Sequence, residues 1–304
     1  MDVHYDTVIQ VIRNEQIKKQ RRSDRTIDNQ FLNKLYLDAI IDVESVIKDS
    51  QVRIWKSLKA NPEFNISLNE SQKILENFME SKIKLVILNI DLVGSTKMSL
   101  NLPIDRLTTI IRAFAQEMTI LISMYGGYVL KYIGDAVLAF FVVDTKNTKD
   151  SYDNENKAKD RSNNNDNFDS LSYSNVISCA YTMIKVVQEG INPILNQNDY
   201  PDLKVRIGIN FGEIAVVRYG IDIDEYNNMV LKRPHLDLIG YTISIAVKMT
   251  SLAKPDHIVI GEDLFSMLEG KLKGAFKQLS ITRDLWNYST ETTGKIYSIY
   301  ENIR

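Results

Sequence analysis

Residues 83–96 read IKLVILNIDLVGST, and residues 126–141 read GGYVLKYIGDAVLAFF. The first stretch is an apolar run that ends in Asp91, which is typical of a central strand buried on both faces. The second stretch predicts a hairpin with Gly134 and Asp135 at its turn. Two carboxylates at the ends of neighbouring strands can hold a hard divalent cation. The two stretches therefore predict a metal site beside a loop of small residues.

The order of the predicted elements gives the fold class. From Ile83 onward, strand, helix, strand, strand, helix, strand, strand, helix and strand follow one another. This order predicts an α+β sheet domain with a ferredoxin-like core. Within it, a strand at 203–211 is expected to turn at Gly212, and a polar, aromatic stretch follows at 219–235.

Two regions differ in character from this domain. Residues 1–80 predict a helical N-terminal extension, which could serve dimer contact or regulation, ahead of a main domain at 81–304. Residues 144–174 are rich in Asn, Asp, Lys and Ser, so we expect a disordered insertion there. A basic cluster within 18–25 is interpreted as a solvated helix face in preference to a site for an anionic partner.

The bulk composition excludes several classes of protein. The chain has 304 residues and a net charge of -2, so no general attraction to nucleic acid or to anionic membrane is expected. No apolar run approaches the roughly 20 residues that span a bilayer, so we expect no stable membrane insertion. The single cysteine, Cys179, fits a reducing compartment and is interpreted as core filler. We therefore expect a cytoplasmic protein.

The two acids have a functional and a structural interpretation. Asp is common at strand ends as a turn former, so Asp91 and Asp135 could be purely structural. Against this, each follows an apolar run in which an unpaired carboxylate is costly. Gly94, Ser95 and Thr96 follow Asp91, and their backbone N–H groups could face a phosphate. The residues alone leave both interpretations open.

Four segments together resemble the class III nucleotidyl cyclases, which make cyclic AMP or cyclic GMP from the triphosphate. They are residues 89–96 (NIDLVGST), 131–135 (KYIGD), 206–213 (RIGINFGE) and 237–240 (DLIG). The resemblance runs from about Ile83 to about Tyr300. It implies an enzyme that most closely matches an adenylate cyclase, with ATP as the preferred substrate.

The resemblance also implies roles for individual residues. Asp91 and Asp135, with the Leu92 carbonyl, would hold two Mg²⁺ or Mn²⁺ ions next to the phosphate-facing Gly94–Thr96 loop. Lys131 and Asp237 would read the base. The resemblance implies that this pair is of the adenine type, and the chemistry agrees, because lysine can donate to a ring nitrogen of adenine and a carboxylate can accept from its exocyclic amine.

The sequence departs from the family pattern at two catalytic positions. Ser244 stands where the family has the Asn that orients the ribose, and Lys248 where it has the Arg that stabilises charge on the phosphates. Lysine keeps the charge but loses the planar two-pronged contact, so reduced activity is expected. Lys295 resembles a triphosphate-binding lysine of some members.

The resemblance further implies a head-to-tail homodimer, because family sites combine metal-holding and base-reading residues from different protomers. Residues 219–235 fall where the family has a dimer-contacting arm. Three alternatives stay open: a cyclase that uses GTP or a pyrimidine triphosphate, a catalytically weak nucleotide-binding sensor, and a structural homodimer that binds neither nucleotide nor metal.

Overall fold

The structure, a computed structural model, describes residues 41–59, 68–143, 162–226, 229–289 and 294–303. The helices are α1 (Val43–Lys59), α2 (Asn69–Glu76), α3 (Ser95–Asn101), α4 (Ile104–Met124), α5 (Ser162–Lys185), α6 (Asn192–Asn196), α7 (Tyr241–Leu252), α8 (Glu262–Met267) and α9 (Gly270–Gly274), with a π-helical turn (Val186–Ile191) between α5 and α6. The strands are β1 (Ser81–Leu92), β2 (Tyr128–Ile133), β3 (Ala136–Val142), β4 (Val205–Tyr226), β5 (Met229–Ile239), β6 (His257–Gly261), β7 (Phe276–Gln278) and β8 (Ile299–Asn302).

The strands form one sheet in the order β2-β3-β1-β4-β6-β8-β7, with β5 paired to β4. Strand β1 is antiparallel to both β3 and β4, and β2 is antiparallel to β3. The first four strands therefore have the arrangement of a ferredoxin-like sheet, in which β3 lies between β1 and β2. The predicted α+β, ferredoxin-like class is confirmed.

The central strand β1 is buried on both faces, as its apolar sequence predicted. Val86, Leu88 and Ile90 belong to a core that the sheet shares with α1, α4 and α5. Leu85 and Ile87 point the other way, into a second core with residues of α2 and α7. Helices thus cover both faces, which is why β1 lacks the polar alternation of a one-sided strand.

Two helices of the predicted N-terminal extension lie within the described residues and pack on the sheet domain. Ile47 and Ile54 of α1 are buried in the first core, whereas Ile74 and Leu75 of α2 are buried in the second. Residues 1–40 and 60–67, including much of the predicted extension, lie outside the described residues. A regulatory or dimer-contacting role for the extension stays a prediction.

Helix α5 begins at Ser162, so it overlaps the last part of the stretch 144–174, where we expect a disordered insertion. Polar residues there give no apolar periodicity, yet extending an existing helix avoids the cost of nucleating a new one. Residues 144–161 lie outside the described residues.

The expected turn at Gly212 is wrong, since β4 runs without interruption from Val205 to Tyr226. A Cβ on Gly212 would lie 2.5 Å from the hydroxyl of Thr242. The glycine therefore permits close packing of α7 on β4. Beyond Gly212, β4 and β5 form a long antiparallel hairpin. We call residues 217–237 of this hairpin the arm. The arm includes the stretch 219–235, for which a dimer contact is predicted.

Within the part of the chain that the structure describes, no helix has both the length and the apolar character that a membrane crossing requires.

Candidate active site

Asp91 lies near the end of β1, and the sheet register places it opposite Arg206 on β4. The Arg206 Nη2 atom donates to Asp91 Oδ2 at 2.6 Å, and about a quarter of each side chain is exposed. Arg206 belongs to the segment 206–213 (RIGINFGE), whose sequence alone gives this residue no role. The contact of Arg206 with Asp91 depends on the pairing of β1 with β4, which brings together residues that are 115 positions apart in the sequence.

Asp135 lies in the turn between β2 and β3, after Gly134, whose positive φ of 64° suits the tight turn. The Oδ2 atom of Asp135 is buried and has no hydrogen-bond partner within the described residues. A buried carboxylate oxygen without a partner is unfavourable. The turn therefore offers a free ligand atom to a cation.

The two acids lie close enough to affect each other. Burial is the largest cause that raises the pKa of Asp91 above its ordinary value, and the nearby Asp135 raises it further. The hydrogen bond from Arg206 lowers it and offsets part of this effect. Two carboxylates held together in this way form a site with a deficit of positive charge, which a divalent cation would supply.

The residues present fit a hard metal ion, with one restriction. Among the described residues, no group of three or more His, Cys, Asp or Glu side chains is placed to hold a metal. A cation at Asp91 and Asp135 would therefore take its remaining oxygen ligands from main-chain groups, water or a bound phosphate. Mg²⁺ is commonly held in this way, by one or two carboxylates together with substrate phosphates.

The loop after Asp91 leads directly into the short helix α3. Leu92 is buried, whereas Gly94 and Thr96 are exposed. Gly94 has φ 76°, a left-handed conformation that favours glycine, and no atom lies within 4 Å of a Cβ built on it. The loop is thus open next to the acid pair, as a phosphate-facing segment requires.

The predicted base-reading residues meet each other across the sheet. The Lys131 Nζ atom on β2 donates to Asp237 Oδ2 on β5 at 2.6 Å. The two strands are not neighbours in the sheet, so the sheet must curl to bring them together. Asp237 is the more buried partner, with 15% of its side chain exposed against 40% for Lys131, and its Oδ1 accepts from the Leu238 N–H.

The remaining predicted residues lie on α7 and near the C-terminus. Ser244 and Lys248 are exposed and four residues apart, so they share one face of α7 with the exposed Tyr241. Lys295 is exposed next to the isolated bridge between Ser289 and Ile296. The roles of Ser244, Lys248 and Lys295 stay predictions.

Known proteins resemble this chain in sequence and in fold. Over 185 residues it is 25% identical to a cytidylate cyclase of Escherichia coli, which covers 60% of this chain and 35% of that protein. It is 24% identical over 254 residues to a cytidylate cyclase of Staphylococcus aureus, and this match covers 82% of this chain and 50% of that protein. The chain thus spans half or less of the length of these two relatives.

Solved structures share the fold at low identity. The catalytic core of a rhodopsin-guanylyl cyclase with converted specificity, in complex with ATPαS, matches 74% of this chain and 98% of its own, with 18% identity and a TM-score of 0.50. The guanylyl cyclase Cya2 matches 73% and 93%, with 16% identity and a TM-score of 0.50. The family described as the adenylate and guanylate cyclase catalytic domain matches residues 78–284. Because this match spans more than half of the chain, the protein belongs to the adenylate and guanylate cyclase catalytic domain family.

Proposed function

We propose that this protein is a divalent-metal-dependent nucleotidyl cyclase, which converts a nucleoside triphosphate into a 3′,5′-cyclic nucleotide and pyrophosphate. The observation that carries the proposal is the acid pair, with the buried, unpartnered Oδ2 of Asp135 beside Asp91. A turn-forming Asp would direct its oxygens to backbone N–H groups or to water. An oxygen that is buried without a partner instead suits a ligand that binds with the substrate.

Asp91 and Asp135, with the Leu92 carbonyl as a further candidate, would hold Mg²⁺ or Mn²⁺, and the family pattern favours two ions. Bound cations would neutralise phosphate charge and favour loss of the proton from the attacking 3′-hydroxyl. Arg206 contributes a fixed positive charge at the same place, 2.6 Å from Asp91. If Asp91 held a cation, the Arg206 guanidinium would be available to contact the triphosphate, for which its planar fork is well suited.

Lys131 and Asp237 favour a base that presents a ring-nitrogen acceptor next to an exocyclic amine. Adenine and cytosine both have this edge, whereas guanine and uracil present a carbonyl next to an N–H group. ATP is our leading substrate, because the Lys–Asp combination is of the adenine type. CTP is the second candidate, favoured because the E. coli and S. aureus relatives are cytidylate cyclases.

Ser244 and Lys248 would serve the reacting end of the substrate. Their exposure on one face of α7 leaves both side chains accessible to a ligand. Ser244 would hydrogen-bond the ribose, and Lys248 would offset the charge that develops on the phosphates. Each replaces a longer or more directional group of the family pattern, so we infer a turnover below that of a member with Asn and Arg.

A head-to-tail homodimer is supported by the surface of the arm. Tyr219, Ile221, Ile223 and Val230 are each more than half exposed. Several large apolar side chains along one hairpin are unusual on a surface that stays in water. A second copy of the chain would cover them, and two-fold symmetry would then create two equivalent sites.

The test of the enzyme proposal is a product assay. The purified chain is incubated with ATP, CTP, GTP or UTP and with Mg²⁺ or Mn²⁺, and cyclic nucleotide and pyrophosphate are quantified. We expect product from ATP or CTP in preference to GTP or UTP. Binding of a triphosphate without product would instead support a sensor, and the absence of both binding and product would reject the nucleotide site.

The shared site of the proposed dimer has a separate test. Asp91→Asn and Lys131→Met chains are each assayed alone and then after mixing in equal amounts. If each site combines metal-holding residues of one protomer with base-reading residues of the other, half of the randomly assorted dimers regain one of their two sites, or about a quarter of the wild-type rate. No recovery after mixing would place each site within one protomer.

A further inference from the structure

Helix α2 lies before residue 78, where the family match begins, yet it contacts both strands that carry the base-reading pair. The Ser71 hydroxyl donates to the main-chain carbonyl of Val129 on β2 at 2.6 Å. On β5, the Gln72 Nε2 atom donates to the Leu236 carbonyl at 3.0 Å, and the Leu236 N–H donates to Gln72 Oε1 at 2.9 Å. Two adjacent side chains of one helix thus bridge β2 and β5.

These hydrogen bonds replace the neighbouring strand that each edge lacks. Among the described strands, β2 pairs only with β3, and β5 pairs only with β4. Main-chain groups on a free strand edge need partners. A glutamine amide has a donor and an acceptor, so Gln72 satisfies both groups of Leu236 as a strand would.

The bridged positions lie next to the base-reading residues along the chain. Leu236 directly precedes Asp237, and Val129 lies two residues before Lys131. The β2–β3 register also shifts between Val129 and Lys131. Such an irregularity changes the direction of the side chain that follows, so its anchoring by Ser71 affects where Lys131 points.

Apolar packing makes this bridge rigid. Ile74 and Leu75 of α2 are buried in the same core as Leu130, Leu236 and Leu238. The Lys131–Asp237 ion pair cannot fix the strands by itself, because Lys131 is 40% exposed and an exposed ion pair contributes little. Helix α2 therefore links β2 and β5 directly, in addition to the path through β3, β1 and β4.

We propose that α2 positions the base-reading pair, and that Gln72 and Ser71 thereby set how well the protein discriminates between bases. This inference rests on the proposed function. Neither residue would touch the substrate. A shift of β5 relative to β2 would separate Lys131 from Asp237 and remove the simultaneous contact with a ring nitrogen and an amine.

The test compares two glutamines that make similar bonds in different places. Gln72→Met keeps the length of the side chain and removes both bonds to Leu236. The control is Gln51→Met in α1, which removes the 2.8 Å bond from Gln51 Nε2 to the Glu189 carbonyl, outside the α2 bridge. The readout is the ratio of kcat/KM for the preferred triphosphate to that for its keto counterpart, ATP against GTP or CTP against UTP.

We expect Gln72→Met to lower this ratio about five- to twentyfold, mainly through a higher KM for the preferred substrate, with kcat changed less than twofold. Gln51→Met should leave the ratio at the wild-type value even if both variants lose similar thermal stability. Ser71→Ala removes the second anchor with little change of volume, and we expect a smaller decrease in the same direction.

Each other outcome has a defined meaning. A wild-type ratio in folded Ser71→Ala and Gln72→Met, or an equal decrease in Gln51→Met, overturns the positioning role and leaves the proposed function intact. If Gln72→Met does not fold, the Ser71→Ala ratio decides. A wild-type chain that neither binds nor cyclises any of the four triphosphates overturns the proposed function itself, and the positioning role with it.

Discussion

Replacing Arg53 with methionine should destabilise the protein strongly, because it leaves a buried carboxylate without its partner. The Nε and Nη2 atoms of Arg53 in α1 each donate to one oxygen of Glu117 in α4 at 2.7 Å. Only 2% of the Glu117 side chain is exposed, against 32% for Arg53. The bidentate hydrogen bond from Arg53 to Glu117 and the charge of Glu117 raise the pKa of Arg53 above its ordinary value, although burial offsets part of this rise.

Breaking a buried ion pair by removing one partner typically costs about 3–5 kcal/mol. Since Arg53 is about one third exposed, water can enter where its guanidinium was, and we expect about 2–3 kcal/mol for Arg53→Met. Glu117→Gln should cost about 1 kcal/mol, because the arginine it leaves behind can reach water. The double variant should be less destabilised than the sum of the two, with a coupling of about 1–2 kcal/mol.

The assay is equilibrium unfolding in urea, followed by tryptophan fluorescence. The chain has two tryptophans, of which Trp286 is buried and Trp55 lies on α1 with 49% exposed. A Trp55→Phe background therefore reports on the sheet domain alone. The control is Lys82→Met, which breaks an exposed pair with Glu213 and should change the free energy of unfolding by less than about 0.5 kcal/mol. If Arg53→Met costs no more than Lys82→Met, the reasoning about burial is refuted.

Three further predictions concern the candidate site and the core. Asp135→Asn should reduce product formation at least about 10²-fold and abolish any rise in melting temperature on adding Mn²⁺. Without metal, its melting temperature should be unchanged or higher, because the repulsion between Asp135 and Asp91 is relieved. An undiminished rise in melting temperature with Mn²⁺ would contradict metal binding at Asp135. Ser244→Asn combined with Lys248→Arg should raise kcat about tenfold or more in a single-substrate assay, and a lower kcat would show that these positions work differently here. Cys179 is fully buried and burial raises the pKa of its thiol, so it should react with a thiol reagent only upon unfolding in urea, and rapid labelling of the native protein would contradict this packing.

The elements that were predicted correctly depend on local sequence. Strand β1 can be predicted from a few consecutive residues, because burial on both faces restricts them to apolar types. The turn at Gly134 can be predicted in the same way, because its positive φ favours glycine. The first part of α5 and the continuation of β4 through Gly212 were missed. In both places polar or small residues gave no periodicity, and packing against α7 decided the backbone at Gly212.

In the candidate site, the identity of the residues could be predicted from the sequence, whereas their contacts could not. Asp91, Asp135, Lys131 and Asp237 could be selected from the sequence, because each belongs to a short segment that resembles the family. Their contacts could not be derived, since the ion pair of Asp91 with Arg206 depends on the register of β1 and β4 across 115 positions. A one-residue slip of that register would turn every side chain of the strand to the other face.

Short-range patterns of residue types specify which strands are buried, where the acids stand and which family the segments resemble. In contrast, the contact of Arg206 with Asp91 and the link that α2 makes between β2 and β5 depend on how the whole domain folds. The bonds of α2 span 58 and 164 positions. Contacts of this kind arise from the curl of the whole sheet, to which every strand contributes, so no single stretch of the chain contains the information that fixes them.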